Sequence, residues 1–304
     1  KNIEIFEKKL SKYTGSKFVS VCNSGTSSIL LAFMSIELKK NDVIIMPSIN
    51  FIASYNMAKF LGAKVYLADV DKNTGQMSPQ NILDCCKRFK IKKVKAVVPM
   101  YLGGYPENAQ NFIKLKKKLK CYIIEDACHA FGASYKYKNK KYKIGSCKHS
   151  DISTFSLHPL KTITTGEGGV VCTNNKNLDI KIKLMRSHGL IRDPKKHWVY
   201  NSKFSGFNFR INDFQCALGI SQLKKIRKFI VERKNIYNFY KLKLNKLNFL
   251  DLPKYDLNNN SSYHLCLINI KKFNIKKKDD FIKYMAKKKI MVQYHYIPTY
   301  KFDL

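Results

Sequence analysis

The sequence predicts an α/β fold, with a mainly parallel central sheet flanked by helices and a smaller α+β unit at its C-terminal end. Through the first two-thirds of the chain, short apolar, β-rich runs alternate with helical patterns, the arrangement that produces a parallel sheet. Past residue 225 the pattern changes to the rest of a long helix and then two short strand-like runs around another helix. With 304 residues, 45% of them apolar, the chain can form one large domain and a small one, each with a core. The boundaries read from these patterns are 1–225 for the large domain and 226–304 for the small one.

The elements follow in order. Residues 18–22 read as a strand, and 26–38 as a helix with Ser24 as its N-cap. Residues 43–46 form the next strand, closed by Pro47, and 51–61 a helix ended by Gly62. Strands at 64–68, 94–99 and 121–125 come next, the last two separated by a helix at 108–119. Two more strands, 152–157 and 169–173, flank Lys161. A long helix begins at Asp213 with Asn212 as its cap; Phe214, Ala217, Leu218, Ile220 and Leu223 give its apolar stripe, and it runs on toward Tyr240. The tail reads as strands at 264–270 and 290–294 around a helix at 278–288.

Composition narrows the class. The formal charge is +36, but it is built from 51 Lys and only 6 Arg. Readers of phosphates and bases lean on the planar fork of Arg, and here Lys is spread along the whole chain. That favours a solvated Lys-rich surface, with a basic nucleic-acid-binding protein as the rival from another class and no nucleic acid expected as a partner. No run of eighteen apolar residues suggests a membrane span, and the opening residues are not a signal peptide. The missing initiator Met and the abrupt end at Asp303-Leu304 read as a chain trimmed at both ends. Nine Cys form no C-x-x-C pair and seven His are scattered, so no metal site is expected. Cys22, Cys128, Cys172 and Cys216 lie in apolar runs and read as buried free thiols, which fits a reducing, cytoplasmic compartment.

Ligands of such sheets sit at the carboxyl ends of strands, so chemistry is sought there. Asp126 ends a strand; a buried acid needs a cation to meet it, although a helix N-cap is an equal reading. Lys161 lies in FSLHPLKTITTGEGG, with the Ser156 hydroxyl five residues upstream and Gly166, Gly168 and Gly169 downstream. A desolvated lysine there can form a Schiff base; alone, it would read as one surface lysine among many. Asn23-Ser24-Gly25-Thr26-Ser27-Ser28 joins a strand to a helix and can cup a phosphate or simply cap the helix. Phe51 can stack on a planar ring or belong to the core, and His129 can meet a ring oxygen or be structural. Arg210, one of the six Arg, lies in GFNFR just before the long helix, and Arg186 sits at a helix end with a glycine cap.

Eight segments in this order resemble one family: NSGTSSILLAF, MPSINFIASYNMAKFLGAKVYLADVD, YLGGYPEN, IIEDACHAFGASY, FSLHPLKTITTGEGGVVCTNN, LMRSHG, GFNFRINDFQCALGISQLKKI and QYHYIPTY. They are similar to the DegT/DnrJ/EryC1/StrS sugar aminotransferases, of the fold type I class that uses pyridoxal 5'-phosphate. The resemblance spans nearly the whole chain. It implies that the large domain binds the cofactor, that Lys161 holds it and shuttles protons, and that Asp126 pairs with its ring nitrogen. His129 would meet the ring hydroxyl, Phe51 would stack on the ring, and Thr26, Ser27 and Ser156 would hold the phosphate. Asn208 would reach the phosphate of a neighbouring subunit's cofactor in a homodimer. Arg210, His295 and Tyr300 would face the substrates, a nucleotide sugar and glutamate. Relatives often carry His at the position of Tyr300. ITTGEGG, GFNFRINDFQCALGISQLKKI and QYHYIP look most like the branch that aminates C4 of a UDP-linked 4-keto-6-deoxy-N-acetylhexosamine on the way to pseudaminic acid. Rivals within the fold are aminotransferases of other nucleotide sugars or of C3. A sugar dehydratase is a further rival, but that branch replaces the lysine with His.

Overall fold

The computed structural model describes residues 1–196, 198–271 and 275–303. Helix α1 (Asn2–Thr14) precedes strand β1 (Phe18–Cys22) and helix α2 (Gly25–Ser35). Strand β2 (Val43–Pro47), helix α3 (Ala53–Phe60), strand β3 (Lys64–Ala68) and helix α4 (Pro79–Arg88) follow. Then come strand β4 (Ala96–Val97), helix α5 (Phe112–Leu119) and strand β5 (Tyr122–Asp126). A hairpin of β6 (Ser134–Tyr137) and β7 (Lys140–Lys143) leads to β8 (Ile152–Ser156) and β9 (Gly169–Thr173).

The central sheet has the order β1-β9-β8-β5-β4-β2-β3. Strands β8, β5, β4, β2 and β3 pair in parallel, and only β9 runs against both of its neighbours. Both faces of the sheet are covered, which a parallel sheet requires. Successive side chains divide accordingly: Ile44 and Met46 of β2 join the cluster that holds Leu31 and Phe33, while Ile45 joins Ile82, Val97 and Phe112 on the opposite face. A third cluster around Phe6, Leu10, Phe131 and Phe155 ties α1 to the sheet.

Helix α6 (Lys176–Met185) and helix α7 (Asp213–Leu244) complete the frame. The 32 residues of α7 span about 48 Å at 1.5 Å per residue, crossing position 225. Its start is a capping box: Asn212 Oδ1 accepts from Gln215 N–H at 2.9 Å, and Gln215 Oε1 accepts from Asn212 N–H at 3.3 Å. Among the described residues, no helix is long and apolar enough to cross a membrane.

Several boundaries differ from the sequence reading. Strand β4 is shorter than 94–99, α2 stops at Ser35 where Glu37 takes a positive φ, and α5 begins at Phe112 after Asn108 does the same. The largest difference is in the tail. Of 264–270, only Asn269–Ile270 is strand, paired with Leu250–Asp251, and 290–294 forms no strand. Strand propensity there meets no partner backbone among the described residues. The last helix, α8, runs Ile275–Lys287. All nine cysteines are free; Cys22, Cys172 and Cys216 are buried, whereas Cys128 is only partly covered.

Candidate active site

Three strands deliver the candidate residues to one end of the sheet, that of their carboxyl termini. Strand β5 ends on Asp126, which is 3% exposed. Its carboxylate accepts a hydrogen bond from Ser54 Oγ–H at 2.7 Å and another from Cys128 N–H at 3.3 Å. Ser54 is placed by the first turn of α3. Among the described residues, Asp126 has no basic group within 4.0 Å. A carboxylate this buried, held only by neutral donors, is costly unless a cation completes the site.

Strand β8 ends on Ser156 and passes into the loop that carries Lys161. The loop closes on itself through Leu157 N–H to Gly168 O at 2.8 Å, Thr165 N–H to Leu157 O at 3.0 Å and Lys161 N–H to His158 O at 2.9 Å. Burial pulls the Lys161 amine below the usual lysine range, and nearby Cys128 and Asp126 oppose that pull. Desolvation competing with neighbouring acidic groups is the environment of a reactive lysine.

Strand β1 turns at Asn23 into α2. Ser24 caps the helix, its Oγ accepting from Ser27 N–H at 3.1 Å and lying 2.9 Å from Ser27 Oγ. The first N–H groups of an α-helix have no partner within the helix, and the dipole favours an anion there. Gly25 is needed for the next step: a Cβ at that position would lie 2.7 Å from Ser156 Cβ. The absence of a side chain lets the start of α2 sit directly on the end of β8. Gly169 does the same for β9, where a Cβ would collide with the Ser24 carbonyl oxygen. Thr26 is exposed and Ser27 buried in this cup.

His129 is 2% exposed and sits in the turn after β5. Its Nε2 is 2.9 Å from the Tyr296 hydroxyl, and its ring centroid is 4.3 Å from that of His264. Burial, with repulsion from His264, Lys161 and His295, pushes His129 well below the usual histidine range. His264 is pushed down to about 3 by burial, then by Lys161 and Arg233. His295, half-covered, is lowered by burial and by Lys161, so it too belongs to this neighbourhood. Phe51 is 53% exposed, with its ring centroid 5.8 Å from that of Tyr296, and is therefore not a core residue.

The remaining candidates lie on the surface. Asn208 and Arg210 are exposed. Their strip is pinned beside α6 by Phe207 N–H to Met185 O and Phe209 N–H to Arg186 O, at 2.9 and 3.0 Å, and Asn23 N–H donates to Phe209 O at 2.9 Å. Among the described residues, Arg210 has no carboxylate within 4.0 Å. Tyr300 is 65% exposed, in a short turn whose Thr299 N–H reaches Ser48 O at 2.8 Å. Arg186 has a structural role, bonding Glu7 Oε1 and Val21 O, each at 2.6 Å. Four residues near the site are absent from the sequence reading: Ser54, Asn50, His264 and Tyr296. The first two lie in the MPSINFIAS segment and the last in QYHYIP; Asn50 and Ser54 in particular look like ordinary loop and helix polar residues until burial is known.

Known proteins resemble this chain along its whole length. The DegT/DnrJ/EryC1/StrS aminotransferase family matches residues 1–303. A Campylobacter jejuni UDP-4-amino-4,6-dideoxy-N-acetyl-beta-L-altrosamine transaminase is 36% identical over all of this chain and 78% of its own length. A Caulobacter vibrioides GDP-perosamine synthase is 32% identical over 80% of this chain and 62% of its own length. The structure of Helicobacter pylori PseC, an aminotransferase involved in the biosynthesis of pseudoaminic acid, superposes with a TM-score of 0.88 at 30% identity, covering 100% of this chain and 79% of that one.

The residues present fit pyridoxal phosphate. Its ring nitrogen, when protonated, would be the cation that Asp126 lacks, and the α2 cup would suit its phosphate. Asn23 Oδ1, His129 Nδ1 and both amide atoms of Asn50 are buried without a hydrogen-bond partner, as groups awaiting a ligand would be. The chain belongs to the DegT/DnrJ/EryC1/StrS aminotransferase family and is a pyridoxal-phosphate-dependent sugar aminotransferase.

Proposed function

We propose that this member of the family transfers the amino group of glutamate to C4 of a UDP-linked 4-keto-6-deoxy-N-acetylhexosamine, a step toward pseudaminic acid. One observation carries the chemistry: a largely buried lysine, Lys161, lies near a buried carboxylate, Asp126, that has no cation of its own. The choice of sugar is supported by the likeness to the Campylobacter transaminase over the whole chain.

The bound cofactor supplies an aldehyde carbon open to attack by amines and a ring that draws electrons from the substrate. Lys161 holds it covalently through Nζ. Burial favours the neutral amine at Lys161, so when it is not bonded to the cofactor its Nζ would be the base that accepts and later returns the α-proton of glutamate. Asp126 keeps the ring nitrogen protonated, His129 meets the ring oxygen, and Phe51 covers one ring face. Thr26, Ser27 and Ser156 hold the phosphate, joined by Asn208 from a second copy in a homodimer. Arg210, His295 and Tyr300 face the substrates. Glutamate leaves as 2-oxoglutarate, and its amino group passes to the sugar ketone. Nine free thiols support a cytoplasmic setting.

The test is a coupled assay with glutamate and a panel of nucleotide 4-keto-sugars, with products identified by mass and NMR. A 4-amino product from the UDP-linked N-acetyl sugar is expected. Preference for a GDP-linked sugar, the runner-up suggested by the perosamine synthase likeness, or amination at C3, would replace this substrate assignment.

A further inference from the structure

The C-terminal region returns to His129 at three points. Ser262 Oγ–H donates to the His129 carbonyl at 2.6 Å. The His264 ring lies 4.3 Å away, tilted by 49°. The Tyr296 hydroxyl meets Nε2 at 2.9 Å, and its ring stands 6.0 Å from His129 and 5.8 Å from Phe51. Tyr296 therefore touches one group assigned to the cofactor's ring oxygen and neighbours another assigned to its ring face. The opposite nitrogen of His129, Nδ1, is buried without a partner.

A neutral imidazole has one N–H donor and one acceptor nitrogen, and the bond made at one nitrogen decides the role of the other. Burial lowers the proton affinity of His129 and holds the Tyr296 phenol protonated. The pair therefore meets as a neutral ring and a hydroxyl that still has its proton. Two arrangements are possible. Either the hydroxyl donates to Nε2, leaving Nδ1–H as the free donor, or it accepts from Nε2–H, leaving Nδ1 as a free acceptor. A cofactor oxygen that carries negative charge needs a donor. The charged and titratable groups facing the pair are Asp126, Cys128, Lys161, His264 and His295.

We propose that Tyr296 is a positioning residue whose hydroxyl donates to His129 Nε2, fixing Nδ1–H as the hydrogen-bond donor to the cofactor's ring oxygen. This rests on the reading that His129 meets that oxygen. Tyr296 acts through His129 and is distinct from the substrate-facing His295 beside it.

The experiment compares the wild-type chain with Tyr296→Phe, His129→Gln and the double variant, each with 15N-labelled histidine side chains. In the cofactor-free wild type, NMR should show His129 protonated on Nδ1 and bare on Nε2, while Tyr296→Phe should show mixed or reversed protonation. In the loaded proteins, Tyr296→Phe should shift the visible absorption of the bound cofactor. It should also lower kcat about 2- to 10-fold, the scale of one lost hydrogen bond, with KM for glutamate little changed. On the His129→Gln background the same substitution should add almost nothing, because coupled residues are non-additive. A wild type protonated on Nε2, an unchanged tautomer in Tyr296→Phe, or additive effects in the cycle would each overturn the proposal. So would identical absorption spectra, which would mean the cofactor displaces Tyr296 from His129. Absence of any chromophore in the wild type would instead sink the cofactor reading, and the tautomer measurement in the cofactor-free chain would still decide the state of His129.

Discussion

The candidate residues fall into two groups with opposite surroundings. Asp126 and His129 are 3% and 2% exposed at the end of β5, and Lys161 is largely buried near them. Asn208 and Arg210, read from the same family pattern, stand on the surface with polar groups directed to no carboxylate among the described residues. The apolar surface beside them is open too: Phe214 on the first turn of α7 is 89% exposed and Leu218 42%. The buried group can tune protonation states because desolvation acts on it. The exposed group cannot do so unless something covers it, and an isologous second copy would supply that cover. The buried group has its surroundings within one chain, and the surface strip is where the proposed second copy would act.

The sharpest way to break this comparison is to remove the centre of the buried group. Lys161→Ala should lower transamination by at least about 10³-fold, since acid–base catalysis alone contributes on the order of 10²–10⁴-fold. Residual turnover near wild type would move the proton transfer elsewhere. Asp126→Asn should come next. It removes a charge-assisted bond worth about 1.5–3 kcal/mol and weakens electron withdrawal as well, so kcat should fall more than cofactor retention does. Equal loss of both, measured by turnover and by dialysis against buffer without cofactor, would reduce Asp126 to a binding residue.

The exposed group is tested by mixing. Inactive Lys161→Ala chains and inactive Asn208/Arg210 double variants should complement each other, because a mixed dimer regains one site with both parts intact. Random reassortment predicts about a quarter of wild-type activity per total chain, as half of the dimers are mixed. No recovery despite demonstrated exchange of subunits would make each chain self-sufficient.

A smaller effect separates the two groups through pH. His129 and His264 have folded-state proton affinities below the ordinary value near 6.5. Below that pH the unfolded chain binds protons that the folded one refuses. Their contribution to stability is therefore intact above about pH 6.5 and lost as pH falls, by roughly 1.4 kcal/mol per pH unit for each histidine. Urea unfolding between pH 7.5 and 5.5 should show His264→Asn with a shallower pH slope than the wild type. Equal slopes would mean that His264 takes up its proton in the fold.

The sheet was legible because its strands are continuous apolar runs between clear helical periods, and β1, β2, β3, β5, β8 and β9 all lie where those runs do. The tail was not. Residues 290–294 have the composition of a strand, but a strand needs a neighbour, which composition does not reveal. Lys161, Asp126 and His129 stood out through their family pattern and position after strands, and the structure adds the burial that makes them chemically distinct. Ser54 and Tyr296 could not be read this way. Ser54 becomes a partner of Asp126, 72 positions away in sequence, only when α3 folds beside β5, and Tyr296 meets His129 across 167 positions.

The proposed chemistry centres on Lys161 as the lysine that would hold the cofactor. The protein loaded with pyridoxal phosphate should be yellow, and reduction with borohydride followed by peptide mass mapping should place the fixed cofactor on Lys161 alone among the 51 lysines. Label on a different lysine, or no label despite loading, would contradict it.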